Sequence, residues 1–232
     1  MRLSVQPQKS RRRLIEIAVA AGLTVAGVVT LGPLGGSALA QAAKPQDTAS
    51  VPIEELMAKE SLPDIVQGKA DAPVTIVEYA SMTCSHCAAF HKETYPTLVK
   101  NYIDTGKVRF ILREFPLDPL AAAGFMLARC SGDKRNDMVD LLFDKQSDWA
   151  FTQKPLEALG NLVKQTGMSQ ESFNKCINDQ ALYDQINQVR DRAAQKFGVE
   201  ATPTFFINGK KVAGEMNPKM LDDLLQPLLK KS

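Results

Sequence analysis

Two cysteines in the run C-S-H-C, Cys84 and Cys87, are the residues of this sequence best suited to chemistry. A thiol reacts as a nucleophile only when it is a thiolate, and the free N–H groups at the start of a helix favour that anion. Cys84 lies at the junction between a predicted strand and a predicted helix, and Cys87 lies one helical turn further on. We therefore assign Cys84 as the attacking sulfur, Cys87 as the resolving sulfur, and His86 as the group that tunes their stability.

Other uses of a C-x-x-C pair find less support. A zinc site needs further ligands, but Cys130 and Cys176 lie singly and far apart, and His91 is the only other histidine. Haem attachment requires histidine directly after the second cysteine, where this chain has Ala88. We therefore predict no metal and no cofactor. A purely structural disulfide remains an alternative, although the junction of strand and helix favours a reactive pair.

Glu78 is the second residue that suggests chemistry. It stands inside an apolar run, where a carboxylate is costly unless it is paired or functional. It also lies six residues before Cys84, so it could sit beneath the disulfide and accept or relay the proton of the resolving thiol. The alternative is an acid at the end of the strand that reaches solvent.

The elements around the cysteines follow the order strand, helix, strand. Residues 74–79 are almost continuously apolar, which is typical of a strand buried on both faces of a parallel sheet. The helix after Cys84 contains Pro96, which predicts a kink. A second β-rich run covers 108–115 and is stopped by Pro116.

A long helical stretch then separates this unit from a second β-rich part. The helices are predicted at 119–130, 134–148, 155–166, 170–178 and 181–197. The β pattern returns at 204–207, where Asn208-Gly209 predicts a hairpin turn, and a closing helix follows at 218–229. About eighty helical residues exceed what one crossover needs. The fold class is therefore α/β, with a helical subdomain inserted into a small sheet domain.

The first forty residues have the pattern of an export signal. A basic stretch ends at Arg13, an apolar run covers Ile17 to Leu31, and Ala38-Leu39-Ala40 makes an A-x-A cleavage site. The apolar run is shorter than the roughly 20 residues of a membrane span. We predict export to the periplasm with cleavage after Ala40; an uncleaved anchor is the alternative, and the choice between Sec and twin-arginine export stays open.

Charge excludes one class of function. The segment before residue 40 has a net charge of +4. The whole chain has a net charge of +2, so the remaining residues have a net charge of −2. Binding to nucleic acid requires a clustered basic footprint, which is missing there. We therefore predict no nucleic-acid partner.

The remaining cysteines, Cys130 and Cys176, both fall on predicted helices. In an oxidising compartment they can pair, closing a loop of about 46 residues and stabilising the fold by roughly 4 kcal/mol. Two buried free cysteines are the alternative.

Thr202-Pro203 opens the last β-rich part, where proline indicates a strand edge, a bulge or a cis bond.

From about residue 62 to 229 the sequence resembles the DsbA-like branch of the thioredoxin superfamily. The resemblance rests on V-E-Y-A-S-M-T-C-S-H-C, on the helical insertion, and on G-V-E-A-T-P-T-F-F-I-N-G-K at 198–210. It implies a thioredoxin fold with an inserted all-helical subdomain. The implied division is a thioredoxin domain at 62–117 and 190–232, with the insert at 118–189. Before it, composition predicts the signal peptide at 1–40 and, at 41–61, a disordered leader (41–50) followed by a short helix.

The resemblance also implies roles for individual residues. Cys84 and Cys87 match the redox pair, and Glu78 matches the buried acid of the family. Pro203 matches the cis-proline beside the disulfide, and Thr202 before it would contact the sulfurs and the bound substrate. His86 matches the last residue between the cysteines. Strong oxidants of the family have Pro-His there and tend to have Val before the proline, and this chain has Ser85-His86 and Thr202.

The implied activity is thiol:disulfide exchange that introduces disulfide bonds into exported proteins. The implied partners are unfolded or folding exported proteins and a membrane disulfide oxidase of the DsbB or vitamin-K-epoxide-reductase type. A disulfide isomerase or reductase using the same site is the alternative. From another class, a chaperone or binding module with a silent disulfide also remains open.

Overall fold

A computed structural model describes residues 47–230 of the 232-residue chain. The predicted signal peptide and its cleavage site lie outside these residues. The described strands are β1 (Asp47–Ser50), β2 (Ile65–Gln67), β3 (Val74–Ala80), β4 (Val108–Glu114), β5 (Thr204–Ile207) and β6 (Lys210–Ala213). They form one sheet in the order β1-β6-β5-β3-β4-β2. Only β3 and β4 pair in parallel among these described strands, and the other pairs are antiparallel.

The described α-helices are α1 (Ile53–Leu56), α2 (Ser85–Ala89), α3 (Tyr95–Leu98), α4 (Pro119–Cys130), α5 (Arg135–Asp144), α6 (Gln146–Trp149), α7 (Pro155–Lys164), α8 (Gln170–Ile177), α9 (Gln180–Phe197) and α10 (Pro218–Leu229). Helices α4 to α9 lie between β4 and β5 in the chain, and α4 packs against α5, α7, α8 and α9. This is the predicted thioredoxin fold with a helical insertion, and it confirms the predicted fold class. No helix within residues 47–230 combines the length and apolar character that a membrane span requires.

The helix that carries the cysteines packs on the sheet through aromatic side chains. Phe90 lies against Phe205 of β5 with ring centroids 4.7 Å apart, and Tyr95 lies against Phe110 of β4 at 5.2 Å. All four rings are buried. These contacts fix the helix across the centre of the sheet, and its first turn therefore meets the end of β3.

The helix has π-helical turns where the sequence predicts a proline kink. Two of them, at Phe90–Thr94 and Val99–Ile103, flank α3, which contains Pro96. Proline lacks an N–H and its ring collides with the carbonyl one turn earlier, so a wider turn accommodates it. A continuous helical stretch from Ser85 to Ile103 results.

The predicted disordered leader is wrong in its last residues. Asp47–Ser50 forms β1, which pairs with β6 in the register Asp47↔Val212 and Ser50↔Lys210. The polar sequence gives no strand pattern. An exposed sheet edge nevertheless offers backbone N–H and C=O groups that can pair with any extended segment.

The predicted helix at 134–148 is also wrong as one element. A 3₁₀ turn precedes α5, and a break at Lys145 separates α5 from α6. The break lets the fully buried Trp149 pack inside the insert, where its indole N–H donates to the carbonyl of Leu142 at 2.9 Å. It also directs Gln146 toward the cysteine loop.

Candidate active site

The loop after β3 presents Cys84 at the start of α2. Cys84 has extended backbone angles and is the N-cap residue, and its N–H donates to the carbonyl of Ser81 at 3.1 Å. Cys87 follows on the first turn and is fully buried, whereas Cys84 keeps 9% of its surface exposed. Both thiols are free in this structure. Cys84 is therefore the more exposed residue of the pair, which agrees with its predicted role as the attacking cysteine.

The surroundings of Cys84 stabilise its thiolate. A hydrogen bond from the Cys87 thiol has the largest effect, and hydrogen bonding by Thr202 and by the backbone N–H groups of Cys87 and His86 adds to it. Burial opposes them, and the net result lowers the pKa of Cys84 to about 5. Cys84 is therefore a thiolate at neutral pH when the pair is reduced.

The surroundings of Cys87 have the opposite effect. Burial raises the pKa of Cys87 well above its ordinary range, and the neighbouring Cys84 and the negative charge of Glu78 raise it further. Cys87 therefore holds its proton at neutral pH. Reactions that make or break the Cys84–Cys87 bond must move that proton.

Glu78 lies inside the sheet. It is fully buried on β3, between Leu112 of β4 and Phe205 of β5. Its Oε2 atom is 2.9 Å from Nε2 of His91, and its Oε1 atom has no hydrogen-bond partner among the described residues. The alternative of an acid reaching solvent at the strand end is wrong.

Thr202 and Pro203 lie across the site from α2. Their peptide bond is cis, and the carbonyl of Thr202 accepts a hydrogen bond from the Cys84 thiol at 3.2 Å. The Thr202 hydroxyl oxygen is buried without a hydrogen-bond partner within residues 47–230. When Cys84 loses its proton, this hydroxyl can turn to donate to the thiolate, which agrees with the effect of Thr202 on the pKa of Cys84.

His86 is exposed on the outer side of the pair. Its Nδ1 atom contacts Oε1 of Glu215, which lies in the loop between β6 and α10. Both side chains keep more than half of their surface exposed, so the pair contributes little to stability. The sequence gives no signal for Glu215, because it is 129 residues from His86.

The helical insert holds the cysteine loop through Gln146. This buried side chain donates to the carbonyls of Met82 and Cys84 at 2.9 and 3.0 Å. Asp118, the N-cap of α4, accepts from the hydroxyl of Thr83 at 2.6 Å. Gln146 and Asp118 contact residues that are distant in the sequence, so hydrophobic periodicity does not predict these contacts.

Cys130 and Cys176 are joined in a disulfide that connects the end of α4 to α8, with Cα atoms 6.2 Å apart. The pair lies within the helical insert and is separate from Cys84 and Cys87. No group of three or more potential metal ligands occurs within the part of the chain that the structure describes.

Comparison with known proteins identifies relatives over most of the described chain. The family model described as Thioredoxin matches residues 60–227. Among solved structures, alpha-DsbA1 of Wolbachia pipientis aligns with a TM-score of 0.71 and 32% identity, covering 77% of this chain and 96% of that one.

Curated relatives give a consistent result. Disulfide bond formation protein D of Bacillus subtilis is 30% identical over 156 residues, which are 63% of this chain and 68% of that protein. A protein of Rickettsia typhi, provisionally named a protein-disulfide oxidoreductase, is 33% identical over 148 residues, 63% of this chain and 55% of that protein. The chain thus spans little more than half the length of that relative. It belongs to the thioredoxin family, in the branch that contains the DsbA proteins.

Proposed function

We propose that this chain is an exported thiol:disulfide oxidoreductase that introduces disulfide bonds into other exported proteins. The observation that carries the proposal is the asymmetry of the pair: Cys84 is the N-cap of α2 and contacts Thr202, whereas Cys87 is fully buried. These surroundings lower the pKa of Cys84 and raise that of Cys87. A stable thiolate in the reduced form favours reduction of the pair, and the pair then acts as an oxidant of other thiols.

The proposed reaction begins with the oxidised pair. A substrate thiolate attacks Cys84 Sγ, a substrate–Cys84 disulfide forms, and the Cys84–Cys87 bond breaks. Cys87 leaves with the electron pair and takes up a proton, for which Glu78 is the proposed carrier. A second substrate thiolate then attacks the substrate sulfur and releases Cys84 as its thiolate. The substrate is oxidised by two electrons, and the pair is reduced by two.

Other side chains have supporting roles in the proposal. Thr202 and Pro203 form the surface beside Cys84 on which an extended substrate would lie, and His86 adjusts thiolate stability under the influence of Glu215. The insert at 118–189 supports the cysteine loop between the two parts of the sheet domain, 62–117 and 190–232, through Gln146. The Cys130–Cys176 disulfide stabilises this insert.

The proposed partners follow from the reaction. Substrates are unfolded or folding exported proteins with free thiols, and a membrane disulfide oxidase of the DsbB or vitamin-K-epoxide-reductase type would restore the oxidised pair. The name of the Bacillus subtilis relative, disulfide bond formation protein D, supports this direction. Thr202 before the cis-proline and Ser85 between the cysteines differ from the strong oxidants of the family and bear on the strength of the oxidant. The second candidate is a disulfide isomerase or reductase that uses the same site.

Two assays of the mature protein separate the candidates. The oxidised protein should convert a reduced, unfolded protein with two cysteines to its disulfide form, with one equivalent oxidised per equivalent of enzyme. The reduced protein should reshuffle a scrambled multi-disulfide protein much more slowly than it donates disulfides. Rapid reshuffling without donation would replace the proposal with isomerase activity, and the absence of both reactions would favour the chaperone or binding module.

A further inference from the structure

A histidine that the proposed reaction does not use lies directly behind the active site. His91 is four residues after Cys87 on the same helical stretch, and only 4% of its side-chain surface is exposed. Its Nε2 atom faces Glu78 at 2.9 Å, and its Nδ1 atom has no hydrogen-bond partner among residues 47–230. The ring therefore has one nitrogen on the buried acid and a second nitrogen that is itself buried and unpaired among the described residues.

Aromatic side chains fix the orientation of this ring. It stacks on Phe143 of α5 with centroids 4.2 Å apart and planes inclined by 20°. Tyr95 lies at 4.8 Å, and Phe90 contacts the ring edge at 5.4 Å. The imidazole is thus held in one plane, with the nitrogen that faces Glu78 directed into the sheet.

The other side of His91 adjoins solvent. The histidine lines a surface cavity of about 460 Å³, together with Lys92, Tyr95, Pro96, Val99, Asp140 and Asp144. Lys92, Asp140 and Asp144 are exposed residues on its wall. Glu78 is fully buried and does not line this cavity. His91 therefore contacts the buried carboxylate directly and also lines the cavity.

We propose that His91 is a proton-relay residue that connects Glu78, and through it Cys87, to water in this cavity. The inference rests on the proposed function and adds the route of the proton. When a substrate breaks the Cys84–Cys87 bond, the Cys87 thiolate takes a proton from Glu78, Glu78 takes one from His91, and water in the cavity returns a proton to His91. When the pair is reoxidised, Cys87 loses its proton by the reverse route.

The charges around His91 suit a group that gains and loses a proton. Glu78 faces it from β3, and Asp140 faces it from α5, close enough for His91 to counteract the rise in the Asp140 pKa that desolvation causes. On its own helical stretch the neighbours are Lys92 at the cavity wall and the neutral Tyr95. Two acids therefore lie near the ring, and the neighbouring Lys92 is exposed to solvent.

The test is the reoxidation of the reduced mature protein by saturating oxidised glutathione, with acid quench and mass spectrometry at pH 5 to 9. Cys84 first forms a mixed disulfide, and Cys87 must then lose its proton to resolve it. In His91→Phe and His91→Ala, we expect resolution near pH 6.5 to slow by about tenfold or more, because general acid–base catalysis contributes at least this factor. The mixed disulfide should accumulate, and the defect should shrink as pH rises.

Added imidazole distinguishes a relay from a structural role. It should restore the rate in His91→Ala, where the removed ring leaves space beside the cavity, and should have no effect in His91→Phe, which fills that space. Lys92→Gln is the matched control, because it changes the exposed neighbour of His91 on the same cavity wall and keeps the imidazole and its aromatic contacts; its rate should match that of the wild type. Circular dichroism and thermal unfolding verify that each variant folds.

Two outcomes would overturn the relay: wild-type resolution rates in both His91 variants, or a defect that is equal at every pH and unresponsive to imidazole. Failure of the proposed function would look different. An isomerase or reductase would fail the donation assay and still resolve its mixed disulfide through His91, whereas a silent pair would form no mixed disulfide at Cys84, and the relay would be rejected with it.

Discussion

Replacing Cys84 with serine is expected to lower the rate of disulfide donation by at least about 1,000-fold, to the uncatalysed background. The hydroxyl of serine can neither form a disulfide nor exist as an anion at neutral pH. Cys84 is also the residue of the pair that keeps some exposed surface, since Cys87 is fully buried. The measurement is oxidation of a dithiol peptide under single-turnover conditions.

Cys87→Ser is the matched variant for this prediction. It keeps the accessible sulfur and removes the resolving one, so it should form a mixed disulfide with the peptide and fail to release it. A Cys84→Ser protein with wild-type donation would contradict the assignment, and the Cys130–Cys176 disulfide would then be the remaining redox pair to consider.

The stability of the reduced protein is expected to rise by about 3 kcal/mol between pH 4 and pH 7 through Cys84 alone. The pKa of Cys84 is about 5 in the folded state and near 9 in the unfolded chain. A depressed pKa contributes stability that is complete above the unfolded pKa and disappears as pH falls through the folded pKa. At pH 7, which is two units above the pKa of Cys84 in the folded state, about half of this stabilisation is present. Urea unfolding of the protein in a phosphine reductant measures it.

Two comparisons isolate the contribution of Cys84. Burial raises the pKa values of Glu60 and Asp140, and these groups change stability with the opposite sign in the same acidic range. The Cys84→Ser variant retains them and should lack the rise due to the thiolate. The oxidised wild-type protein should lack it also. Parallel pH curves for the reduced protein and the variant would show that Cys84 has an ordinary pKa.

Local signals in the sequence predict the frame of the site well. Asn208-Gly209 predicts a tight hairpin turn, and both residues have positive φ between β5 and β6. Gly198 predicts the end of the long helix, and it adopts the left-handed conformation directly after α9. Each of these features depends on a few neighbouring residues, whose conformational preferences follow from their residue types.

Features that depend on distant contacts are not predictable in this way. Asp47–Ser50 is a strand because an edge is available on β6, and the break before α6 exists because Trp149 is buried in the insert. The position of Gln146 at the cysteine loop follows from that break. Neither the edge nor the interior of the insert can be derived from local periodicity.

The residues of the candidate site also divide into those that local sequence signals predict and those that depend on distant contacts. The spacing of Cys84, Cys87 and Glu78 contains enough information to suggest an acid beneath a thiol pair. The sequence also contains a signal for His91, because residues four apart share a helix face and His91 follows Cys87 by four. It does not contain the pairing with Glu78 or the adjoining cavity, which require β3 and α5 to meet the helix.

The most direct test of the account is the reduction potential of the Cys84–Cys87 pair in the mature protein. Equilibration in glutathione buffers, followed by thiol alkylation and mass spectrometry, measures this pair separately from Cys130 and Cys176. Stabilisation of the Cys84 thiolate predicts a potential that is shifted from the about −270 mV of thioredoxin toward the about −120 mV of a strong disulfide donor. A potential of about −230 mV or lower would contradict the account, because such a pair would work in its reduced form as an isomerase or reductase.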